Sequence, residues 1–301
     1  MNVSIVIRTL NEGRHLPALF QTIGLQGYSN GEIETIVVDS GSTDGTLELA
    51  KAAGAKIVHI RKEDFSFGRS LNIGCDAANG DVLVFVSGHC IPVEENWIAR
   101  LVAPLGQQGI VYSYGRQLGT DKTRFSECQI FAKYFPPESG IPQEGFFCNN
   151  ANSALLKRIW QDNRFDEELT GLEDMYLAKR LVEQNHKIAY AADAAVYHIH
   201  NESWRQVRRR FEREAISLQK IMPDIHLTVL DVLRYSTSAI LMDFGLALQQ
   251  GKLCKVAGEV VRYRIAQFRG SYRGNHEHRD LSRKRKEDYF YPKQVRAKRE
   301  Y

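Results

Sequence analysis

Two carboxylates stand side by side where a helical pattern begins. Glu173 and Asp174 open EDMYLAKRLVEQ (173–184), whose apolar residues recur at the spacing of one helix face. Two carboxylates in one site raise each other's pKa, which suits a group that takes a proton from a hydroxyl near neutral pH. The other interpretation is an acidic first turn, which the helix dipole favours. The pair alone does not decide between a catalytic base and a helix start.

A second chemical group lies in YHIHNESW (197–204). His198 and His200 are two residues apart, so a strand would place both on one face. This spacing is compatible with metal ligation, and a hydrogen-bonded structural role is the alternative for each ring. Trp204 would either stack on a sugar ring or pack in the core.

The elements that would position these groups begin with two similar units. VSIVIRTLNEG (3–13) and IETIVVDSGSTDGT (33–46) are each a β-branched run that ends in polar residues before a helical pattern. Side by side they form a parallel sheet whose carboxyl edge carries both loops, and open α/β sheets bind ligands at that edge. Asp39 ends the second run, and Gly41 allows a tight turn. The sequence therefore predicts a crevice of nucleotide size.

Carboxylates at this edge can accept hydrogen bonds from ribose hydroxyls or base N–H groups, which makes Glu12 and Asp39 candidates. The alternative is that Glu12 and Asp44 only cap helices.

Strand-like and helix-like patterns alternate over the first 200 residues, which predicts a doubly wound α/β domain. Further predicted elements are strands at 56–60 and 81–87, a helix at 67–80 that ends at a glycine, a helix start at the end of 145–156, and strand–turn–strand at 187–200. From about residue 203 the pattern is helical, with an amphipathic helix at 227–249. The predicted division is an α/β domain at 1–202 and a helical, basic extension at 203–301.

The charge of the chain is asymmetric. Residues 203–301 contain 22 Lys and Arg against 11 Asp and Glu, whereas residues 1–202 contain 18 against 25. A basic C-terminal third favours an anionic partner such as a membrane surface or a lipid-phosphate acceptor. It carries no RNA-binding aromatic motif or recognition-helix signature, so we expect no nucleic-acid partner.

Location is indicated by three features. No apolar run reaches the roughly 18–20 residues that span a bilayer, and the N-terminus does not read as a signal peptide. The five cysteines are scattered without CxxC spacing, which favours reduced thiols. We expect a cytoplasmic protein, with peripheral contact at the inner face of the plasma membrane left open.

Four segments together resemble family 2 glycosyltransferases of the GT-A fold, over roughly residues 1–200. They are TLNE (9–12), VVDSGSTDGT (37–46), FVSGHCIP (85–92) and GLEDMYLAKRL (171–181). The resemblance implies a GT-A sheet, Rossmann-like and mostly parallel, with flanking helices. It also implies nucleotide-sugar contacts in the first two loops, at Thr9, Asn11, Glu12, Asp39, Ser40 and Gly41.

The resemblance implies further roles in catalysis and binding. Asp174 would be the general base of an inverting transfer, and Glu173 would support it or bond the donor sugar. Arg69 and Asn72 in FSFGRSLNIG (65–74) would lie near the diphosphate. Asn149 and Asn150 would lie under the donor sugar and acceptor, and the alternative for them is a turn held by Asx hydrogen bonds. Together with HIHNESW, the 65–74 segment resembles a bacterial rhamnosyltransferase-like branch.

The third segment departs from the family. Ser87 and His89, with Gly88 between them, stand where the family carries the two aspartates of its metal-binding DxD motif. His89 would ligate a divalent metal, contact the diphosphate directly, or serve an enzyme that needs no metal; a structural loop histidine is the fourth reading. Imidazole is acceptable to Mn²⁺ and less so to Mg²⁺. His89, His198 and His200 are the candidate ligands.

These features predict an inverting glycosyltransferase that moves a sugar from a nucleoside-diphosphate sugar to a glycan or lipid-linked glycan acceptor during surface polysaccharide synthesis. The altered DxD position supports an alternative, a catalytically silent partner subunit that binds a nucleotide sugar or glycan. The retained acidic pair argues against that alternative.

Overall fold

A computed structural model of the chain describes residues 1–276. Within them, eight strands form one sheet in the order β3-β2-β1-β4-β7-β6-β8-β5. The strands are β1 Val3–Thr9, β2 Ile33–Asp39, β3 Lys56–His59, β4 Val82–Ser87, β5 Cys90–Pro92, β6 Ile110–Leu118, β7 Asn152–Leu156 and β8 Lys187–His198.

Most of the sheet runs in one direction. Strands β1, β2, β3 and β4 are mutually parallel, and β6 pairs with β8 in parallel. Strand β7 runs antiparallel between β4 and β6, and β5 runs antiparallel on β8. The predicted mostly parallel α/β sheet is therefore confirmed. Its centre is apolar on both faces, as buried parallel strands require, with Ile5, Val84 and Phe85 fully buried.

Ten α-helices flank and extend the sheet in the described residues. They are α1 Leu16–Gly24, α2 Thr46–Ala52, α3 Phe67–Asp76, α4 Trp97–Val102, α5 Phe125–Tyr134, α6 Lys157–Asp162, α7 Glu173–Glu183, α8 Trp204–Ile221, α9 Val229–Gln249 and α10 Leu253–Asn275. Local chemistry fixes several starts: Ser203 and Gln206 form a capping box at α8, and Thr228 and Asp231 form one at α9.

Three local predictions were wrong. The end of the 145–156 segment is the buried strand β7 and not a helix start, because pairing with β4 and β6 outweighs the helix propensity of Ala and Leu. Residues 187–198 form one strand, since a register shift against β6 absorbs the expected turn. Helix α3 ends at Asp76, short of the glycine at position 80.

The C-terminal helices pack on one another and on the sheet domain. Helix α8 lies against α10 and α7, and α9 lies against α10 and α5. A buried ion pair joins α9 to α10, where Arg264 Nε donates to Asp243 Oδ2 at 2.8 Å, and Ser126 of α5 donates to the same oxygen. The predicted helical extension holds through Asn275, and its remainder lies outside the described residues. Among those residues, no helix combines the length and apolarity needed to cross a membrane.

Candidate active site

The carboxyl ends of three parallel strands meet at one edge of the sheet. Register places Thr9 of β1 beside Asp39 of β2, and Arg8 beside Ser87 of β4. A cleft of about 610 Å³ opens at this edge. It is lined by the loops after β1, β4 and β8, by the 149–151 segment, by the start of α7 and by one side of α8.

One side of the cleft, here called the carboxylate wall, consists of Glu173 and Asp174. Asp174 is only 6% exposed, and its Oδ2 accepts a hydrogen bond from the backbone N–H of Asn150 at 2.7 Å. Burial, and then the charge of Glu173, raise the pKa of Asp174 to about 7. A carboxyl group with that pKa can hold and release a proton near neutral pH, which is what a general base needs.

Glu173 has a fixed partner that sequence reasoning missed. Arg8 Nη1 lies 3.2 Å from Glu173 Oε1, and its guanidinium stacks 4.9 Å from the ring centre of Phe67. The only signal in the sequence was a cation inside the otherwise apolar run of β1. Leu172, which precedes the pair, adopts φ +56°, a rare conformation for a branched residue. Unfavourable backbone geometry of this kind concentrates at functional sites.

A second group of cleft residues, here called the imidazole wall, consists of His89, His198 and His200. The ring centre of His198 lies 5.1 Å from that of His89 and 4.1 Å from that of His200. Each residue offers one possible ligand atom, and these three atoms all lie within 4.8 Å of one another. The fold therefore brings together all three of the predicted metal ligands, although His89 is more than a hundred residues from the other two.

Hydrogen bonds fix which nitrogen of each ring is available. The Nδ1 atoms of His89, His198 and His200 lie 2.8, 2.6 and 2.8 Å from oxygens of Glu12, Gln117 and Glu127, in that order. Because each partner oxygen accepts, each Nδ1 carries a proton, and Nε2 is the nitrogen through which a neutral ring could bind a metal. The Nε2 of His198 is buried and without a hydrogen-bond partner. Metal-binding histidines have this arrangement, with the second nitrogen held by an acceptor.

Burial also keeps two of the rings neutral. It lowers the pKa of His198 well below its usual value, and the neighbouring His200 and His89 lower it further. Burial and then the guanidinium of Arg210 lower the pKa of His200. A neutral imidazole is the form that binds a cation, so these groups are ready for a metal at neutral pH.

The partners of the imidazole wall were not predicted. Gln117 is fixed by donating to Asn149 Oδ1 at 2.8 Å, which leaves its Oε1 for His198. Glu127 is buried and also accepts from Arg210 of α8 at 2.7 Å. A sequence signal existed, since Gln117 and Glu127 are polar residues inside apolar patterns, but their partners are distant in sequence.

The first two loops are joined by their own side chains. Asp39 Oδ2 accepts from the backbone N–H groups of Gly41 and Ser42 at 2.9 and 3.1 Å, and Gly41 has φ +99°. Asn11 Oδ1 accepts from the N–H of Thr43 at 2.8 Å.

Each predicted residue of these loops has a defined place. Asp39, Thr9 and Ser40 are buried beneath the loops, with Ser40 Oγ donating to the Thr9 carbonyl, while Asn11 and Glu12 line the cleft. Ser87 also lines it, and Gly88 packs so closely on Glu12 that an added Cβ would lie 2.9 Å from its Cγ.

Nine predicted residues do not line the cleft, namely Thr9, Asp39, Ser40, Gly41, Gly88, Asn150 and the more distant Arg69, Asn72 and Trp204. Arg69 Nε donates to Glu167 at 2.8 Å. The side-chain amide of Asn72 donates to the Phe165 carbonyl and accepts from the Phe165 N–H. Trp204 stacks under Arg124, 4.1 Å from its guanidinium carbon. The substrate contacts of Arg69, Asn72 and Trp204 stay predictions to which this geometry gives no support. Of the predicted sugar-binding amides, Asn149 lines the cleft, and Asn150 is buried with its backbone N–H on Asp174.

Comparison with known proteins identifies the family. The model of the family described as "Glycosyl transferase family 2" matches residues 4–159, which is more than half of the chain. The chain belongs to glycosyl transferase family 2. This family 2 glycosyltransferase is 27% identical over 225 residues to the O-antigen chain rhamnosyltransferase RfbN of Salmonella typhimurium, covering 70% of each chain.

Solved structures place the fold among GT-A glycosyltransferases. The mannosyltransferase PcManGT of Pyrobaculum calidifontis, solved with GDP-Man and Mn²⁺, matches with a TM-score of 0.64 and 14% identity over 90% of this chain and 86% of that one. Glucosyl-3-phosphoglycerate synthase of Mycobacterium tuberculosis, solved with Mn²⁺ and UDP, matches with a TM-score of 0.52 and 21% identity over 73% and 79%. The predicted family and GT-A fold are confirmed.

Proposed function

We propose that this enzyme is an inverting glycosyltransferase in which Asp174 is the general base. The observation that carries the proposal is the buried Asp174 carboxyl, with a pKa near 7, in the same cleft as Asn11 and Glu12 of the first predicted nucleotide loop. The acceptor hydroxyl gives its proton to Asp174 while its oxygen attacks the anomeric carbon and the nucleoside diphosphate leaves. Glu173, held by Arg8, keeps a second carboxylate beside the base and so helps to set its pKa.

We propose that His89, His198 and His200 hold a divalent metal, with Mn²⁺ preferred over Mg²⁺ because all three candidate ligands are imidazoles. Three features support the fit: the clustering of their nitrogens, the acceptor on each Nδ1 and the buried, unpartnered Nε2 of His198. When bound, the ion would offset the negative charge of the diphosphate leaving group. Glu12, Gln117 and Glu127 orient the rings for this purpose.

The substrates are proposed from relatives. Because RfbN is named an O-antigen chain rhamnosyltransferase, we propose a hexose or deoxyhexose donor, with a rhamnose donor as the first to test. The acceptor would be a hydroxyl of a growing surface glycan, such as an O-antigen, capsule or exopolysaccharide, free or lipid-linked. Asn11, Glu12 and Asn149 line the cleft and are the polar side chains best placed to meet donor or acceptor.

We propose that the enzyme works in the cytoplasm, in peripheral contact with the anionic inner face of the plasma membrane. Five unpaired cysteines in the described residues fit a reducing compartment. The positive charge of residues 203–301 fits an anionic surface.

The decisive experiment measures sugar transfer by the pure protein. UDP-, GDP- and dTDP-activated sugars are supplied with a glycan acceptor, in the presence of Mn²⁺, Mg²⁺ or EDTA. Asp174→Asn is compared with Asp162→Asn, which removes the same charge from an exposed position on α6. We expect turnover to fall by about 10²–10⁴-fold in the first variant only.

The outcomes separate the alternatives. Transfer that survives Asp174→Asn at near wild-type rate would refute the role of Asp174. Nucleotide binding without turnover of any donor by the wild type would instead favour the catalytically silent partner subunit.

A further inference from the structure

Helix α9 has two apolar faces, and the fold uses only one of them. Its inner face packs Ile240, Phe244 and Ala247 against α5 and α10. Its outer face exposes large apolar side chains over the length of the helix: Val229 (58%), Leu230 (77%), Leu233 (58%), Leu241 (63%), Met242 (66%) and Leu248 (66%). Contiguous apolar patches of this kind are rare on monomeric soluble proteins and mark an interaction surface.

The neighbouring helix adds positive charge to the same surface. A groove between the two helices is lined by Val229, Val232 and Ser236 of α9 together with residues of α10 that include Ile265 and Arg269. The outer face of α9 is therefore continuous with the exposed stripe of α10. That stripe carries Lys255, Arg262, Ile265, Arg269 and Arg273.

The exposed residues of α9 and α10 include no acidic side chain. The three acidic residues of these helices are all engaged elsewhere. Asp243 is buried against Arg264, Asp231 caps its own helix through Thr228, and Glu259 accepts from the backbone N–H of Phe125. The surface is thus an apolar stripe bordered by cations, in which Lys255, Arg262 and Arg269 outnumber the partly exposed Asp231 carboxylate at the start of α9. Arg273, at the end of the stripe, is paired with Glu212 of α8 at 3.2 Å.

We propose that this α9–α10 face docks on an anionic lipid bilayer. Amphipathic helices bind in this way, with the apolar side chains inserted at the level of the headgroups and the cations beside lipid phosphates. The same charge pattern disfavours a second copy, because a two-fold contact would bring like-charged arginines together. The inference gives the proposed membrane contact a specific surface, and it does not depend on the transfer chemistry.

Binding to vesicles tests the inference. The full-length protein is floated with phosphatidylcholine vesicles that contain or lack phosphatidylglycerol, at low and high salt. We expect binding that requires phosphatidylglycerol and weakens with salt. Leu230→Glu/Leu241→Glu is expected to lower the partition coefficient by roughly tenfold or more, because it puts charges into the inserted stripe. Arg262→Gln/Arg269→Gln is expected to lower it for the phosphatidylglycerol vesicles and to make the remaining binding less sensitive to salt.

Leu25→Glu is the control for adding a carboxylate at an exposed leucine, since Leu25 is also exposed (54%) but lies at the end of α1, outside α9 and α10. The control should bind like the wild type. All variants should keep wild-type Mn²⁺ and nucleotide binding, which separates a failed docking surface from a failed active site. Unchanged vesicle binding by Leu230→Glu/Leu241→Glu would overturn the proposal. So would a wild-type dimer in lipid-free solution that this variant dissociates, because the face would then belong to a second copy.

Discussion

The carboxylate wall and the imidazole wall line the same cleft, and burial shifts the pKa values of their groups in opposite directions. Withdrawal from water disfavours the charged form of either group. It therefore raises the pKa of Asp174 to about 7 and lowers the pKa of His198 and His200. The same physical effect yields a carboxyl group that can exchange a proton near neutral pH and imidazoles that stay neutral for a cation. One low-dielectric cleft can thus supply both a base and a metal site.

The largest effect on metal binding should come from removing a ring of the imidazole wall. His198→Ala and His200→Ala are each expected to weaken Mn²⁺ binding by about 100-fold or more, because each removes one of three ligands. Asp174→Asn should leave Mn²⁺ affinity unchanged. Titration calorimetry on the three variants checks whether Mn²⁺ binding depends on the imidazole wall alone. A similar loss of Mn²⁺ affinity in Asp174→Asn would mean that the two walls form one site.

The pH dependence of turnover should report the carboxylate wall. Because the base must be ionised, kcat/KM should rise about tenfold per pH unit up to about pH 7 and level above it. His198 and His200, whose pKa values lie well below the usual value, should not contribute to this limb. Mn²⁺ affinity measured across the same range is the control. If kcat/KM falls at low pH in parallel with Mn²⁺ affinity, the pH effect belongs to the imidazole wall instead.

A smaller effect is expected from the groups that hold the rings. Gln117→Leu removes the acceptor for His198 Nδ1–H and should lower Mn²⁺ affinity by about 10–100-fold. Gln117→Glu keeps an oxygen at that place and should restore most of the affinity. If both variants bind Mn²⁺ equally well, Gln117 does not position the ring.

A separate effect concerns stability. The pKa of Asp174 is raised in the folded protein, so its neutral form is the favoured one, and its contribution to stability is lost as the pH rises toward about 7. Relative to Asp174→Asn, the wild type should lose unfolding free energy progressively as the pH rises from about 4 to about 7. Urea unfolding of both proteins checks this, and parallel pH curves would contradict the raised pKa.

Much of the fold was predictable because its signals are local. The β-branched runs at 3–9 and 33–39, the periodic helix at 173–183 and the polar residues that follow the strands are all readable within a short window. Strand β7 was missed because its sequence favours a helix and only its position between β4 and β6 makes it a strand. A short stretch of sequence does not show which strands it will pair with in the sheet.

The candidate site was predictable by residue type but not by partner. Asp174, His198 and His200 were readable as carboxylate and imidazole groups in suitable positions. Arg69, Asn72 and Trp204 were readable in the same way, yet their side chains are bound into other parts of the fold. Residue type and strand-end position identify candidate site residues. Hydrogen-bond partners that are distant in sequence then decide which of these candidates are available in the cleft.

The sequence by itself determined the family, the parallel sheet and the edge that carries the chemistry, because these depend on short-range periodicity and on motifs in a fixed order. The tertiary structure decided which groups meet and what their environment does to them. Arg8 reaches Glu173 across 165 positions of sequence, and Glu127 reaches His200 across 73. Only folding brings such pairs out of water together, and it is this desolvation that sets the protonation of Asp174 and of the imidazoles.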